Sequence, residues 1–312
     1  MWHNTAMIRY LQRTVKDESV KELESFRTGC WVFAENPSDS ELSLLAEAHG
    51  LERGLLDDAM DPNEVPRVES EGGVTYIFTR APIKEGEDVS TTPLLIGVAP
   101  TFFFTISHQH IPLFEQYQSS RIAFFTTQKT KLLTQIFTDI NTSFRTHMLG
   151  ISRILRSINI RSAHIENADI LALVRHEEVL NDFLGALIPT HALLQHLLSG
   201  RFLRLYEQDE DLVQDLFLAD GQLIEMCKSN MRNSVNIREA YSTIMTNNLN
   251  QVIKLLTALT VVFTIPTMIA SLFGMNVKVP LGAHEYGFVI IVGFTIVISV
   301  VLLFIFQRRK WL

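Results

Sequence analysis

The hydrophobic pattern passes through three regimes along the chain. Up to about Ser120, short apolar runs alternate with turn residues. Residues 30–34 (CWVFA) read as a strand. Residues 65–83 read as a hairpin with Gly72-Gly73 at the turn, and residues 94–107 as a strand pair broken at Ala99-Pro100. Ser38, with Glu41 three residues on, is a capping-box signal for a helix start. This part predicts a compact α/β domain.

From about Thr126 the strand signals stop. Residues 129–165 carry Leu133, Ile136, Ile140, Phe144, Met148, Ile151 and Leu155 at three- and four-residue steps, which predicts a long amphipathic helix. Asn167-Ala168-Asp169 opens a second such pattern to about Leu187, and Pro189 permits a break or kink before residues 193–198. A third helix has no obvious stop between Asp209 and Phe273, where Gly221 and Pro266 are the only glycine and proline. One face keeps a four-three alternation through Leu212, Leu216, Ala219, Leu223, Met226, Asn230, Asn233, Ile237, Ala240 and Ile244, the spacing of a coiled-coil seam. At 1.5 Å per residue such a helix is about 100 Å long.

The third regime is apolar throughout. Residues 255–273 (LLTALTVVFTIPTMIASLF) and 286–306 (YGFVIIVGFTIVISVVLLFIF) are each about the 20 residues needed to cross a bilayer core, and neither contains a charge. A short loop joins them into a hairpin. Arg308, Arg309 and Lys310 after the second run, and Lys254 before the first, place both chain termini on the cytoplasmic side of a cell (inner) membrane. The expected division is 1–125 cytosolic α/β domain, 126–205 antiparallel helical arm, 206–275 stalk helix continuing into the first crossing, 276–285 outer loop, 286–307 second crossing and 308–312 basic tail. The fold class is an α+β membrane protein.

Composition refines this picture. The chain has 312 residues and a net charge of −7, which does not suggest a nucleic-acid partner. Cys30 and Cys227, the only two cysteines, form no metal or redox pattern, which fits a reducing compartment. The N-terminal MWHNTAMIRY lacks an apolar signal core. No phosphate loop, nucleophile elbow or HExxH is present; His176-Glu177-Glu178 lacks a second histidine and His108/His110 is a bare pair. Neither enzyme activity nor an organic cofactor is expected.

A second line on the long helix carries the functional signal. Steps of four and three from Glu239 meet Thr243, Thr246, Asn250, Ile253, Thr257, Thr260, Thr264, Thr267 and Ser271, of which only Ile253 is apolar. Polar groups at bilayer depth normally face protein or a water-filled cavity. Threonine and serine can also bond the carbonyl four residues back or pack at helix contacts. A pore reading requires several copies of the chain around an axis.

Gly274-Met275-Asn276 stands after the long helix and before a short loop, a second crossing and a basic ending. In that setting it resembles the CorA family of divalent-cation channels. Three further stretches are similar to the family: Asn250-Gln251-Val252-Ile253-Lys254-Leu255-Leu256-Thr257 entering the membrane, Asp61-Pro62 followed by Pro66-Arg67, and the ending Arg308-Arg309-Lys310-Trp311-Leu312. The resemblance implies a homopentamer in the lipid bilayer that imports Mg²⁺ passively, with Co²⁺ or Ni²⁺ sometimes admitted. Gly274, Met275 and Asn276 would be the selectivity filter, and Asn250, Ile253, Leu256, Thr257, Thr260, Thr264, Thr267 and Ser271 the pore lining. Ile253 and Leu256 would form an apolar constriction. Mg²⁺ sheds water reluctantly, so neutral oxygens such as the Asn276 amide suit the hydrated ion. Departures from the family are Phe273, where tyrosine is common, and Lys278 in a loop that is usually acidic.

The resemblance also implies that Mg²⁺ is a regulatory ligand. Asp209, Glu210, Asp211 and Asp215 cluster at the start of the long helix, and Asp215 matches the family's sensing carboxylate when Asn276 is aligned without gaps. Glu85, Glu87 and Asp88 would supply its partner, and Glu239 an inner acidic ring. Alternative readings are a zinc transporter of the related ZntB type and a non-conducting, membrane-tethered metal sensor or scaffold.

Overall fold

The computed structural model describes residues 8–86, 88–160, 167–203, 207–277, 279–280 and 285–311. Glu87, residues 161–165 of the first arm pattern, Lys278, the 281–284 part of the outer loop and Leu312 lie outside the described residues, as does the Glu85 side chain. The chain forms two compact units, residues 1–237 and 238–312.

The first unit is built on a seven-stranded sheet. Its strands are β1 (Arg9–Gln12), β2 (Lys21–Leu23), β3 (Trp31–Glu35), β4 (Arg67–Glu71), β5 (Val74–Glu85), β6 (Asp88–Val98) and β7 (Phe103–Ser107). The order is β2-β1-β3-β7-β6-β5-β4, and only β3 and β7 run parallel. The expected strands are present, and β6 is longer than the apolar pattern indicates. The charged strands β1 and β2 add to what the hydrophobic pattern predicts.

The sheet is buried on both faces, and the two-residue period sorts its side chains. Val32, Ala34, Tyr76, Phe78, Leu95, Phe104 and Ile106 face α1 (Asp39–His49) and α2 (Arg53–Asp58). Trp31, Phe33, Ile77, Leu94, Ile96 and Phe103 face the other way, into a core shared with the remaining helices of this unit. There Trp31 is ringed by aromatic side chains, with Tyr117 at 5.8 Å and Phe124 at 5.7 Å, and its Nε1 donates to Thr105 Oγ1 at 2.9 Å. Ser38 caps α1 as expected: its hydroxyl accepts from the Glu41 N–H, and the Glu41 carboxylate accepts from the Ser38 N–H at 2.9 Å. Gly50, in the left-handed region at φ 65°, ends that helix.

α3 (Leu113–Gln118) leads to α4 (Lys129–Ile160), in which Leu133, Ile136, Ile140, Phe144, Met148, Ile151 and Leu155 are all buried, as their spacing predicts. α5 (Asn167–Leu198) runs through Pro189 without the break that the proline permits. Buried Phe183, Ala186 and Leu187 before it and Leu193, Leu194 and Leu197 after it hold one face in the core. Thr190 Oγ1 donates to the Ala186 carbonyl at 2.8 Å, so a side-chain donor bonds the backbone beside the proline.

α6 (Glu207–Phe273) has 67 residues, and the division between the two units falls within it. Its seam differs from the expected one by a small rotation. The buried positions are Val213, Leu216, Asp220, Leu223, Ile224, Cys227, Asn230 and Ser234, whereas Leu212 is 42% exposed. An apolar count skips Asp220 and Ser234 and therefore settles on the neighbouring line. In the second unit α6 continues to Phe273 and is followed by α7 (Gly287–Arg308).

Candidate functional site

The polar line lies in the second unit, on the membrane-length part of α6. Asn250, Ile253, Leu256, Thr257, Thr260, Thr264, Thr267 and Ser271 are all exposed, whereas Ala258 and Val262 on another side of the helix are buried. Only 6% of the most apolar stretch of α6, and 0% of that of α7, is buried. A core helix of a soluble protein would be mostly covered, so both stretches have the character of helices that meet lipid or copies of themselves.

The threonines share one geometry. Thr257 Oγ1 donates to the Ile253 carbonyl at 2.8 Å, Thr260 to Leu256 at 2.7 Å, Thr264 to Thr260 at 2.7 Å and Thr267 to Phe263 at 2.8 Å. Each hydroxyl proton is committed to the backbone, which leaves the oxygen lone pairs facing outward. The line is therefore a row of acceptors. A hydrated cation presents water O–H groups at its surface and meets such a row favourably without losing its shell. Thr264, Thr267 and Ser271, with Phe263, Met268 and Leu272, also line a shallow groove of about 420 Å³. Thr295 and Ser299 on α7 repeat the geometry at 2.8 and 2.9 Å; their spacing of four is visible in the sequence, but it sits in a run read only for its apolarity.

At the end of α6, Gly274, Met275 and Asn276 are exposed. The Gly274 N–H bonds the Ala270 carbonyl at 2.9 Å, and a Cβ there would come within 3.3 Å of that same oxygen. Glycine at this place provides room rather than a left-handed turn.

The regulatory candidates belong mostly to the first unit. Asp215 is exposed on α6 along a groove of about 730 Å³ between α4 and α6, with Lys131, Asp139 and Arg145 on the α4 wall. Among the described residues Asp215 makes no ion pair. Leu212, Ala219 and Met226, expected in the buried seam, line this groove instead. Asp139 accepts from the Tyr117 hydroxyl at 2.5 Å; burial raises its carboxyl and this bond opposes the rise. Asp209, Glu210 and Asp211 lie within the first five residues of α6, near the end where acidic side chains favour the helix dipole; Asp209 is buried and the other two are exposed. Asp88 is exposed at the start of β6, opposite Glu85 in the hairpin. Glu239 is exposed in the second unit. No group of three or more His, Cys, Asp or Glu side chains converges among the described residues.

Elsewhere His110 and the Asp61-Pro62 stretch have structural partners. His110 bridges Glu35 at 3.1 Å and Glu115 at 3.2 Å. Arg80 donates to the carbonyls of Pro62 and Glu64, both at 2.9 Å, and to the hydroxyl and carbonyl of Thr91, tying that loop to β6. Arg67 pairs with Asp58 and Glu69 at 2.6 Å, and with Glu64, over the face of Phe78.

A family model described as CorA-like Mg2+ transporter protein matches residues 27–309. The cobalt/magnesium transport protein CorA of Methanocaldococcus jannaschii is 26% identical over 303 residues, covering 90% of this chain and 91% of that protein. The complete structure of the CorA magnesium transporter from the same organism superimposes with a TM-score of 0.87 at 22% identity, over 100% of both chains. The ZntB cytoplasmic domain from Vibrio parahaemolyticus gives a TM-score of 0.64 at 11% identity, over 78% of this chain and 99% of that one.

Proposed function

The chain belongs to the CorA family of divalent-cation transporters and is not an enzyme, and within that family we propose that it is a homopentameric channel for passive import of Mg²⁺, gated by cytosolic divalent cations. The observation that carries this reading is the row of back-bonded threonines on an otherwise apolar helix. One helix cannot enclose a pore. Copies arranged about an axis would turn the row inward, because exposed oxygens on a membrane helix are stable when they face water or protein.

The steps follow from the residues. The amide oxygens of Asn276 form a neutral ring at the outer mouth that accepts from the water of the hydrated ion. The Thr267, Thr264, Thr260 and Thr257 oxygens pass it along. Ile253 and Leu256, both exposed in the single chain, supply an apolar girdle that closes by dewetting, and Asn250 repeats the amide ring beyond it. For a divalent ion an inside-negative potential of 100 mV supplies about 4.6 kcal/mol, so inward flow needs no chemical fuel. Asp215, exposed and without an ion pair among the described residues, would bind cytosolic Mg²⁺ together with carboxylates of a neighbouring copy, Asp88 and Asp211 being the candidates, with Glu239 as an inner acidic ring. Both chain ends lie on the cytoplasmic side in this arrangement.

The test is Mg²⁺ uptake into proteoliposomes at an inside-negative potential, wild type beside Asn276→Ala. Uptake in the wild type that is lost in the variant supports the channel and its filter together. Uptake of Zn²⁺ without Mg²⁺ moves the assignment to a zinc transporter, and no flux of either ion from the assembled protein removes the conduction reading.

A further inference from the structure

The buried seam of α6 holds one residue that the hydrophobic pattern does not explain. Asp220 is 0% exposed, at a position where every third or fourth neighbour, Val213, Leu216, Leu223 and Cys227, is a core side chain. Neither of its carboxyl oxygens has a hydrogen-bond partner among the described residues. A carboxylate left in that state is strongly disfavoured unless a charge or a proton compensates it.

The surroundings are arranged around a single ring. His191 of α5 brings Nδ1 to 3.2 Å from Asp220 Oδ2, outside good hydrogen-bond geometry, so Nδ1 also has no hydrogen-bond partner among the described residues. Phe217, one turn before Asp220, stacks on the imidazole at 4.0 Å between centroids and 19° between planes. Gly221 is the only glycine of α6, and a Cβ there would stand 3.3 Å from His191 Cε1. A glycine inside a long helix is unfavourable for helix formation, and here its absent side chain is what admits the ring. The His191 side chain is 31% exposed, so protons reach the pair from solvent.

We propose that Asp220 and His191 form a binding site for one proton, which secures α5 against α6 when occupied and weakens that contact when empty. The other ionisable groups nearby lie elsewhere. From α4, Lys131, Asp139 and Arg145 face α6 across the groove that Asp215 lines, and Asp220 is not part of that groove. From α5, Glu177 accepts from Ser234 at 3.0 Å, four turns further along α6. Burial alone raises the Asp220 carboxyl to about 7, and burial alone lowers the His191 imidazole. Both displacements disfavour the fully charged pair, so below about 7 the site carries one proton, mainly on the acid. The sign follows. A carboxyl whose folded value is raised stabilises the fold most at low pH and loses that contribution as pH rises through about 7, within the cytosolic range. The inference is local to α5 and α6 and does not depend on ion conduction.

The experiment is hydrogen–deuterium exchange on the full-length protein in nanodiscs at pH 6 and pH 8, corrected for the intrinsic pH dependence of exchange. The readout is protection in peptides covering 186–196 and 214–226. In the wild type, protection should fall about tenfold or more between the two pH values. Asp220→Asn, which keeps the shape and removes the charge, should hold its pH 6 protection at pH 8. Equal wild-type protection at both pH values overturns the proposal, and so does an Asp220→Asn protein that loses protection as the wild type does. A merely structural role for Asp220 would change the level of protection in the variant but not its dependence on pH.

Discussion

The Thr264 hydroxyl donates to the carbonyl of Thr260, one turn earlier, at 2.7 Å, so Thr260 contributes both an acceptor for its neighbour and a hydroxyl bonded back to Leu256. The proton is the part that the backbone takes, and the oxygen is the part left free for the proposed ion path. Valine has the same shape without that oxygen. Thr260→Val and Thr264→Val should assemble normally and pass Mg²⁺ at least about tenfold more slowly, each lost acceptor being worth about 1 kcal/mol and repeated in every copy. Serine at either place should retain most of the rate. Dye-monitored uptake at fixed potential separates the two substitutions, and valine variants with wild-type flux would place the permeation path elsewhere.

Asp215 stands on the rim of the α4–α6 groove, opposite Lys131 and Arg145 rather than in a nest of carboxylates. If it takes part in sensing Mg²⁺, Asp215→Ala should conduct at low cytosolic Mg²⁺ and need about tenfold or more of the ion to be inhibited, the effect of removing one charged ligand. Titrating inhibition in patch-clamped giant liposomes measures this. An unchanged inhibition curve would leave Asp215 as a solvated helix position.

Gly97 faces Phe104 across β6 and β7, and a Cβ at Gly97 would run into the Phe104 ring. Gly97→Ala should destabilise the first unit by about 1–3 kcal/mol, as overpacking in a closed core does. Gly97→Ala with Phe104→Leu should recover part of the loss. Urea unfolding followed by tryptophan fluorescence is suited to this, because Trp31 is fully buried in the same sheet.

His110 gives a pH prediction of simple sign. Burial lowers its imidazole, but the carboxylates of Glu35 and Glu115 overcome that effect, and the net displacement is upward. A histidine raised in the folded state stabilises fully below its unfolded value near 6.5 and loses that contribution as pH rises through the folded value. The melting temperature of His110→Gln should therefore fall below that of the wild type at pH 5.5 and approach it at pH 8.5. The side chain is 54% exposed, so the difference should also shrink in high salt.

Legibility in the sequence followed physical type. The hairpin at Gly72-Gly73, the Ser38 cap and the seven apolar positions of α4 were legible because each rests on local geometry or a single period. The two membrane-length helices were legible because two uncharged runs of spanning length stand back to back and are closed by a basic tail. The unbroken α5 was not legible, since core packing on both sides of Pro189 overrides a local preference. The seam of α6 was displaced by one line because its fold buries Asp220 and Ser234, which hydrophobicity cannot rank as core. Along the polar line, the identities and spacing of the threonines were evident from sequence. The direction of their protons was a finding of the structure, and it turns a row of ambiguous hydroxyls into a row of acceptors.

The two borders of the seven-stranded sheet bear on how copies meet. One border is β2, three residues long with Lys21 and Glu22 on it; the other is β4, carrying Arg67, Glu69 and Glu71. Short, charged borders resist strand addition, the route by which sheets zip into open-ended fibres. In the proposed channel, where copies gather at high local density in a membrane, such borders guard against edge-to-edge association. Assembly of that channel would then use surfaces other than the sheet edges.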